Sequence, residues 1–296
     1  MTGKVVTAAE AARLIGDGDV VGLQGGPTQC APMVMVREII RARRRDLHLV
    51  CLSGGIALDW LAAAGCLRAC TFAAVTLEHF GLCRCFRRQV EAGNIEVEEL
   101  SELALFARLG AGARNLPFLP VRTMIGTDLL NVGNPALVVI PDPFGGPPVV
   151  ACQALSPDVA ILHAHRADQF GNVGIDPMPT TATITTMPRA SRRVIVTAER
   201  IVPTDELRQA PDRTILPGFA VDAVVEAPYG AHPTSLFPRY DYDGDFLVAW
   251  AAAAADDDRA QEFLGNFVYE RLSQAAYLDR VGGADRMAQL TIGARP

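Results

Sequence analysis

Residues 7–26 read TAAEAARLIGDGDVVGLQGG, and the order of signals in them decides the fold. Thr7 followed three residues later by Glu10 is the pairing of a capping box, so a helix is expected to start here, with Gly16 and Gly18 ending it. Val20-Val21-Gly22-Leu23 is a short apolar run of strand type that stops at Gly25-Gly26-Pro27. The next stretch, PMVMVREIIRAR (32–43), carries apolar residues at helical spacing. Strand, glycine turn and helix in that order form an α/β crossover unit.

The unit recurs. DLHLVCLSGG (46–55) reads as a buried strand, and LDWLAAAGCL as a helix. CTFAAVTL (70–77) reads as a strand and FRRQVEAG as a helix closed by Gly93. NIEVEEL (94–100) is a strand, followed by a helix over SELALFARLGAGARN with Ser101 as its N-cap. Further strands are expected within 149–165, 192–201 and 221–228. Continuous apolar strands alternating with helices imply an α/β protein, a mostly parallel sheet covered on both faces. The Pro- and Gly-rich stretch 134–150 reads as a loop or hairpin insertion. Beyond about residue 245 the sequence turns helical, so 1–245 is taken as the main domain and 246–296 as a C-terminal helical extension.

Half of the 296 residues are hydrophobic, enough for a sizeable core. A net charge of −6 argues against a nucleic-acid partner. The one dense basic run, Arg41, Arg43, Arg44 and Arg45, is expected to cap a helix and face solvent. The amino-terminal residues lack a signal-peptide core, and no apolar run reaches the roughly 18 residues of a membrane span. Cytoplasmic residence fits these features. The seven cysteines show no zinc-finger spacing, and His163, His165 and Asp168 suggest no further ligand, so no metal site is expected.

In an open parallel sheet, ligands bind beyond the carboxyl ends of the strands. The loops that fall there supply the candidate substrate-binding residues Gln24, Gly25, Gly26, Gln29, Ser53, Gly54, Gly55, Glu78 and His79. Glycine lets backbone N–H groups approach an anion or a developing oxyanion. Glu102 follows the N-cap Ser101 at the same edge and is the candidate catalytic carboxylate. The competing reading makes it an acid favoured by the helix macrodipole alone. Neither a dinucleotide fingerprint nor a P-loop is present.

Several blocks together resemble the α subunit of family I CoA-transferases of the glutaconate CoA-transferase type. They are VEELSELALFARLGAGARNLPFLPVRTMIGTDL, PDVAILHAHRADQFGNVGID, VIVTAERIVPTDELR and VDAVVEAPYGAHPTSLFPRYDYD. The resemblance covers about residues 4–250 and implies a three-layer α/β/α domain, coenzyme A as a (co)substrate with no permanently bound cofactor, and a required β subunit partner. It also implies ping-pong transfer between an acyl-CoA and a carboxylic acid through a glutamyl-CoA thioester. In the family the nucleophilic glutamate lies in a Ser-Glu-Asn-Gly sequence of the β subunit. Here Ser101-Glu102 is followed by Leu103 and Ala104, so the motif is absent. The Glu102 block is also similar to the α subunits of steroid ring-opening CoA hydrolases, which implies the alternative of Glu102 as a base for retro-Claisen hydrolysis. A sugar-phosphate-binding domain of the same superfold would need Lys or Arg beside the glycine loops, where this chain has Gln24, Thr28 and Gln29.

Overall fold

The structure, a computed structural model, describes residues 3–131, 133–177 and 183–293. The capping box forms as read: Thr7 and Glu10 exchange hydrogen bonds at the start of the helix Ala8–Ala11. The central sheet has seven parallel strands, β1 (Val20–Leu23), β2 (Leu47–Val50), β3 (Leu67–Phe72), β4 (Glu96–Glu99), β5 (Val159–Ala167), β6 (Arg193–Ile201) and β7 (Ala223–Glu226). Their spatial order is β7-β6-β5-β1-β2-β3-β4. The chain builds outward from β1 to β4, then returns to the other side of β1 to lay down β5. Val21 lies opposite Val159, and Leu23 opposite Ile161. The β1/β5 junction is therefore the point where strand order reverses, and the two carboxyl ends there diverge to leave a crevice.

Alternation along β5 shows why the sheet is covered twice. Val159 and Ile161 enter the core beneath helices α1 (Met33–Arg41), α2 (Ile56–Ala63) and α3 (Arg84–Glu91). Ala160, Leu162 and Ala164 enter the core on the opposite face, with Leu105 and Leu109 of α4 (Glu102–Ala113) and Met187 of the helix Thr183–Ala190. The Pro/Gly-rich insertion is a hairpin: Leu137–Ile140 pairs antiparallel with Val149–Gln153. Phe118–Val121 adds a third strand that the sequence pattern did not disclose. The stretch 70–77 divides, because after Phe72 the chain leaves the main sheet and Ala74–Val75 pairs with Ser53–Gly54.

The C-terminal segment shares the main core. Helix α5 (Gly244–Ala253) contributes Phe246, Leu247 and Trp250, and α6 (Asp257–Leu264) contributes Ala260 and Leu264, to the cluster that holds Trp60. Trp60 and Trp250 meet edge to face at 5.9 Å. Asp59, fully buried on α2, accepts hydrogen bonds from Phe86 N–H at 2.8 Å and from Trp250 Nε1–H at 2.9 Å. Burial pushes its carboxyl up to about 6 against the pull of those donors. One side chain thus ties α2, α3 and α5 together. Helices α7 (Gln274–Arg280) and α8 (Gly283–Leu290) complete the chain.

The arginine run departs from its expected role. Arg43 and Arg45 are exposed, but the Arg41 side chain is only 8% exposed. It bonds Glu38 and the carbonyls of Val268 and Leu272, so it anchors the C-terminal segment instead of facing solvent. No helix among the described residues is long and apolar enough to cross a membrane.

Candidate active site

The glycine turns meet at the carboxyl edge of β1 and β2. Gly25 has φ +119, and Gly26 N–H closes the turn onto the Gln29 carbonyl at 2.7 Å. A Cβ on Gly25 would lie 2.8 Å from the Ala31 backbone, so glycine is required twice over. A Cβ on Gly55 would lie 2.3 Å from Pro27 Cα. The turns 24–29 and 53–55 therefore touch backbone to backbone. Among the described residues, nothing accepts a hydrogen bond from the N–H of Gly25 or Gly55. Two preset donors at a strand edge suit a developing oxyanion.

Beside them lies a cavity of about 310 Å³ lined by Gln29 and Glu78 from the expected set. Ser235, Phe237, Asp241 and Tyr242 complete its wall, with Thr28, Cys30 and Ile292. Cys30 and Glu78 hold left-handed backbone, at φ +52 and +55, and non-glycine strain of this kind gathers at functional sites. Cys30 is not a nucleophile in this setting, since burial pushes its thiol up to about 12. His79 is exposed and packs on Phe80, with ring centroids 3.9 Å apart, and faces Tyr242 at 6.2 Å.

The remaining candidates lie apart from the cavity. Gln24 is buried, and its Oε1 accepts from His163 N–H at 2.9 Å, so that oxygen is committed to bridging β1 and β5. Ser53 and Gly54 pair with Ala74 and Val75 and carry the Gly55 turn. Glu102 is the first residue of α4, after Ser101, whose Oγ accepts from Ala104 N–H at 3.3 Å. It is exposed at the carboxyl edge of β4, and its carboxylate has no hydrogen-bond partner among the described residues. Leu52, Ile56 and Leu77, apolar residues of the same loops, are core residues and do not line the cavity.

The wall residues 235–242 were missed, although the rule about carboxyl edges pointed to them: they follow β7. A buried network holds this loop. Glu199 of β6 accepts from His163 Nε2 at 2.8 Å, Tyr240 Oη at 2.8 Å and Tyr229 N–H at 2.9 Å. Burial alone would raise the Glu199 pKa, but these donors outweigh it and hold the carboxyl below its usual range. Tyr240 is pushed well above the usual phenol range by burial and the adjacent Glu199 charge. His163 and His165 are spent on structure, His165 Nε2 donating to the Phe237 carbonyl at 2.9 Å. Asp168 accepts from Phe170 N–H, Asn172 N–H and Thr204 Oγ1–H and so shapes the turn after β5. Among the described residues no group of three or more His, Cys, Asp or Glu is placed to hold a metal. Every cysteine is buried and unpaired.

This fold, with its glycine turns meeting at the carboxyl edge of β1 and β2, has its match in one known family. The chain belongs to it: the family model for coenzyme A transferase matches residues 5–227. Over nearly its full length the chain superposes on glutaconate CoA-transferase from Acidaminococcus fermentans with a TM-score of 0.92, covering 98% of this chain and 96% of that one at 31% identity. The α subunit of that enzyme is 32% identical over 98% of this chain and 95% of its own length. The resemblance drawn from the sequence blocks, and the α/β fold with its mostly parallel sheet, are thereby borne out. The chain is also 31% identical to the IpdA subunit of a cholesterol ring-cleaving hydrolase from Mycobacterium tuberculosis, over 90% of this chain and 94% of that protein. An uncharacterized protein of Archaeoglobus fulgidus is 38% identical over 98% of this chain, which spans 65% of that longer protein.

Proposed function

We propose that the chain is the α subunit of a heteromeric acyl-CoA:carboxylate CoA-transferase that completes its site with a β subunit. The match to glutaconate CoA-transferase over nearly the whole chain carries this reading. The chain lacks the Ser-Glu-Asn-Gly sequence, so the nucleophilic glutamate is assigned to the partner. In the first half-reaction that carboxylate attacks the thioester carbonyl and CoA thiolate leaves, forming a mixed anhydride. The thiolate then attacks the glutamyl carbonyl and releases the donor acid, leaving an enzyme thioester. An acceptor acid reverses these steps and departs as the new acyl-CoA. This chain supplies the Gly25 and Gly55 N–H donors for the oxyanions, and the cavity beside Gln29 and Glu78 for the acyl group.

The test uses the chain purified with its partner subunit. Treatment with acyl-CoA and then borohydride is expected to abolish activity and reduce a glutamate of the partner to an alcohol. Unchanged activity, with free CoA released in the absence of an acceptor acid, sinks the transferase reading.

Likeness to the ring-cleaving hydrolase subunit favours a second reading, in which Glu102 activates water for retro-Claisen cleavage. Its free, exposed carboxylate at the strand edge is compatible with that task. Glu102→Gln separates the two. Under transfer, turnover stays within about threefold, under the ~1 kcal/mol of a helix-start charge. A loss of about 100-fold or more, with assembly intact, identifies a general base and favours hydrolysis.

A further inference from the structure

An open cleft of about 600 Å³ lies at the opposite edge of the sheet, where α1 ends ahead of β2 and α2 ends ahead of β3. Gln261, Tyr269 and Arg271 of the C-terminal segment close its far side. Five arginines line it, Arg41, Arg43, Arg44, Arg45 and Arg271, and no carboxylate does. Arg41 pairs with Glu38, while among the described residues the other four form no ion pair. In a chain of net charge −6 this concentration of unpaired cations is not a matter of composition.

The ordinary explanation is that arginines sit well at helix carboxyl ends. Each helix end offers about half a negative charge, so α1 and α2 together offset roughly one of the four unpaired guanidinium groups. A second observation lies deeper. Arg41, with its side chain 8% exposed, buries an Nη2 that has no partner. Arg44 donates through Nη2 to the Ala12 carbonyl at 3.2 Å but buries an Nε that has none. The rim of the cleft carries unneutralised positive charge.

We propose that this cleft is an anion site for the phosphoryl group of a small, multiply charged ligand. Guanidinium forks match phosphoryl oxygens two at a time, and Arg43, Arg44, Arg45 and Arg271 line the cleft without an ion pair among the described residues. The cleft shares no lining residue with the candidate active site, so the proposal does not rest on the transferase reading. Two sources fit the chemistry: a free phosphate or pyrophosphate, and the phosphates of coenzyme A.

The test is calorimetric titration of the chain, purified with its partner subunit, with inorganic pyrophosphate at constant ionic strength. Saturable binding is expected, at least about tenfold weaker in the double variant Arg43→Gln, Arg45→Gln, because two charge-assisted contacts are removed. Both residues are exposed, so the melting temperature without ligand is expected to stay unchanged. In a competition arm, displacement of pyrophosphate by CoA assigns the phosphoryl group to CoA, and its absence assigns a separate phosphate. No saturable binding, equal binding by the variant, or the same heat from sodium chloride overturns the site.

Discussion

Gly55→Ala is expected to lower kcat/KM of the assembled enzyme by about 100-fold, the order of loss when reacting groups are misplaced by an ångström. The reason is steric and local. The new methyl carbon would lie 2.3 Å from Pro27 Cα and 2.5 Å from the Pro27 carbonyl oxygen. Both are backbone atoms, so no side chain can swing aside. The 24–29 turn must retreat, carrying the Gly25 N–H away from the Gly55 N–H and shifting Gln29 in the cavity wall. Overpacking of this kind also costs roughly 1–3 kcal/mol of stability. Steady-state kinetics and thermal melting of the complex check both. Activity within about threefold would mean that the contact between the turns does not position the site.

That contact could not be read from the sequence, although both of its partners could. The glycine turns were legible because glycine after an apolar strand is a local signal, and the carboxyl-edge rule sorted them onto one side of the sheet. The pairing of β1 with β2, Val21 opposite Leu49, brings the turns to one edge, and the closeness of their backbones there leaves no mark in either local pattern. Gln24 shows the limit of the rule: it stands at the right edge, yet its Oε1 is taken by His163 N–H across the sheet. The wall from Ser235 to Tyr242 stood inside a block that marked the family, but its place at the cavity was hidden because Tyr240 is held by Glu199, itself bonded to His163, on strands 41 and 77 residues away. Arg41 was misplaced for the same reason. Its partners Val268 and Leu272 lie on a segment whose packing against α1 leaves no local trace.

The same long-range logic gives the largest expected change in stability, at Asp243. This residue is 2% exposed and serves four donors. It caps α5 by accepting from Phe246 N–H at 3.0 Å, and it accepts from His232 Nε2 at 3.0 Å and Arg286 Nε at 3.0 Å, with Arg286 Nη2 on its other oxygen. With Nε2–H given to Asp243, His232 Nδ1 accepts from Tyr277 Oη–H at 2.8 Å, so one carboxylate fixes the contacts of α5, α7 and α8. Asp243→Ala strands a buried imidazole and leaves the part-exposed Arg286 only its contacts outside the core, such as Asp245 at 2.7 Å, and is expected to lower unfolding free energy by about 3 kcal/mol. The cavity should loosen too, since Asp241 and Tyr242 immediately precede the clamp. The pH dependence has a defined sign. Burial opposes ionisation of Asp243, but the His232 and Arg286 donors win and depress its pKa strongly. Its contribution is therefore full above the unfolded carboxylate value of about 3.9 and is lost as pH falls through the folded value. Burial also lowers the His232 pKa, so a further contribution is full above about pH 6.5 and fades as pH falls below it. Wild-type stability should decline in two stages on acidification, and in Asp243→Ala the lower stage should be smaller, the remainder coming from other depressed carboxylates such as Glu199 and Glu98. Urea unfolding between neutral and acidic pH measures this directly, and a variant within about 1 kcal/mol of wild type at neutral pH would show that the carboxylate is not what holds the C-terminal helices to the site.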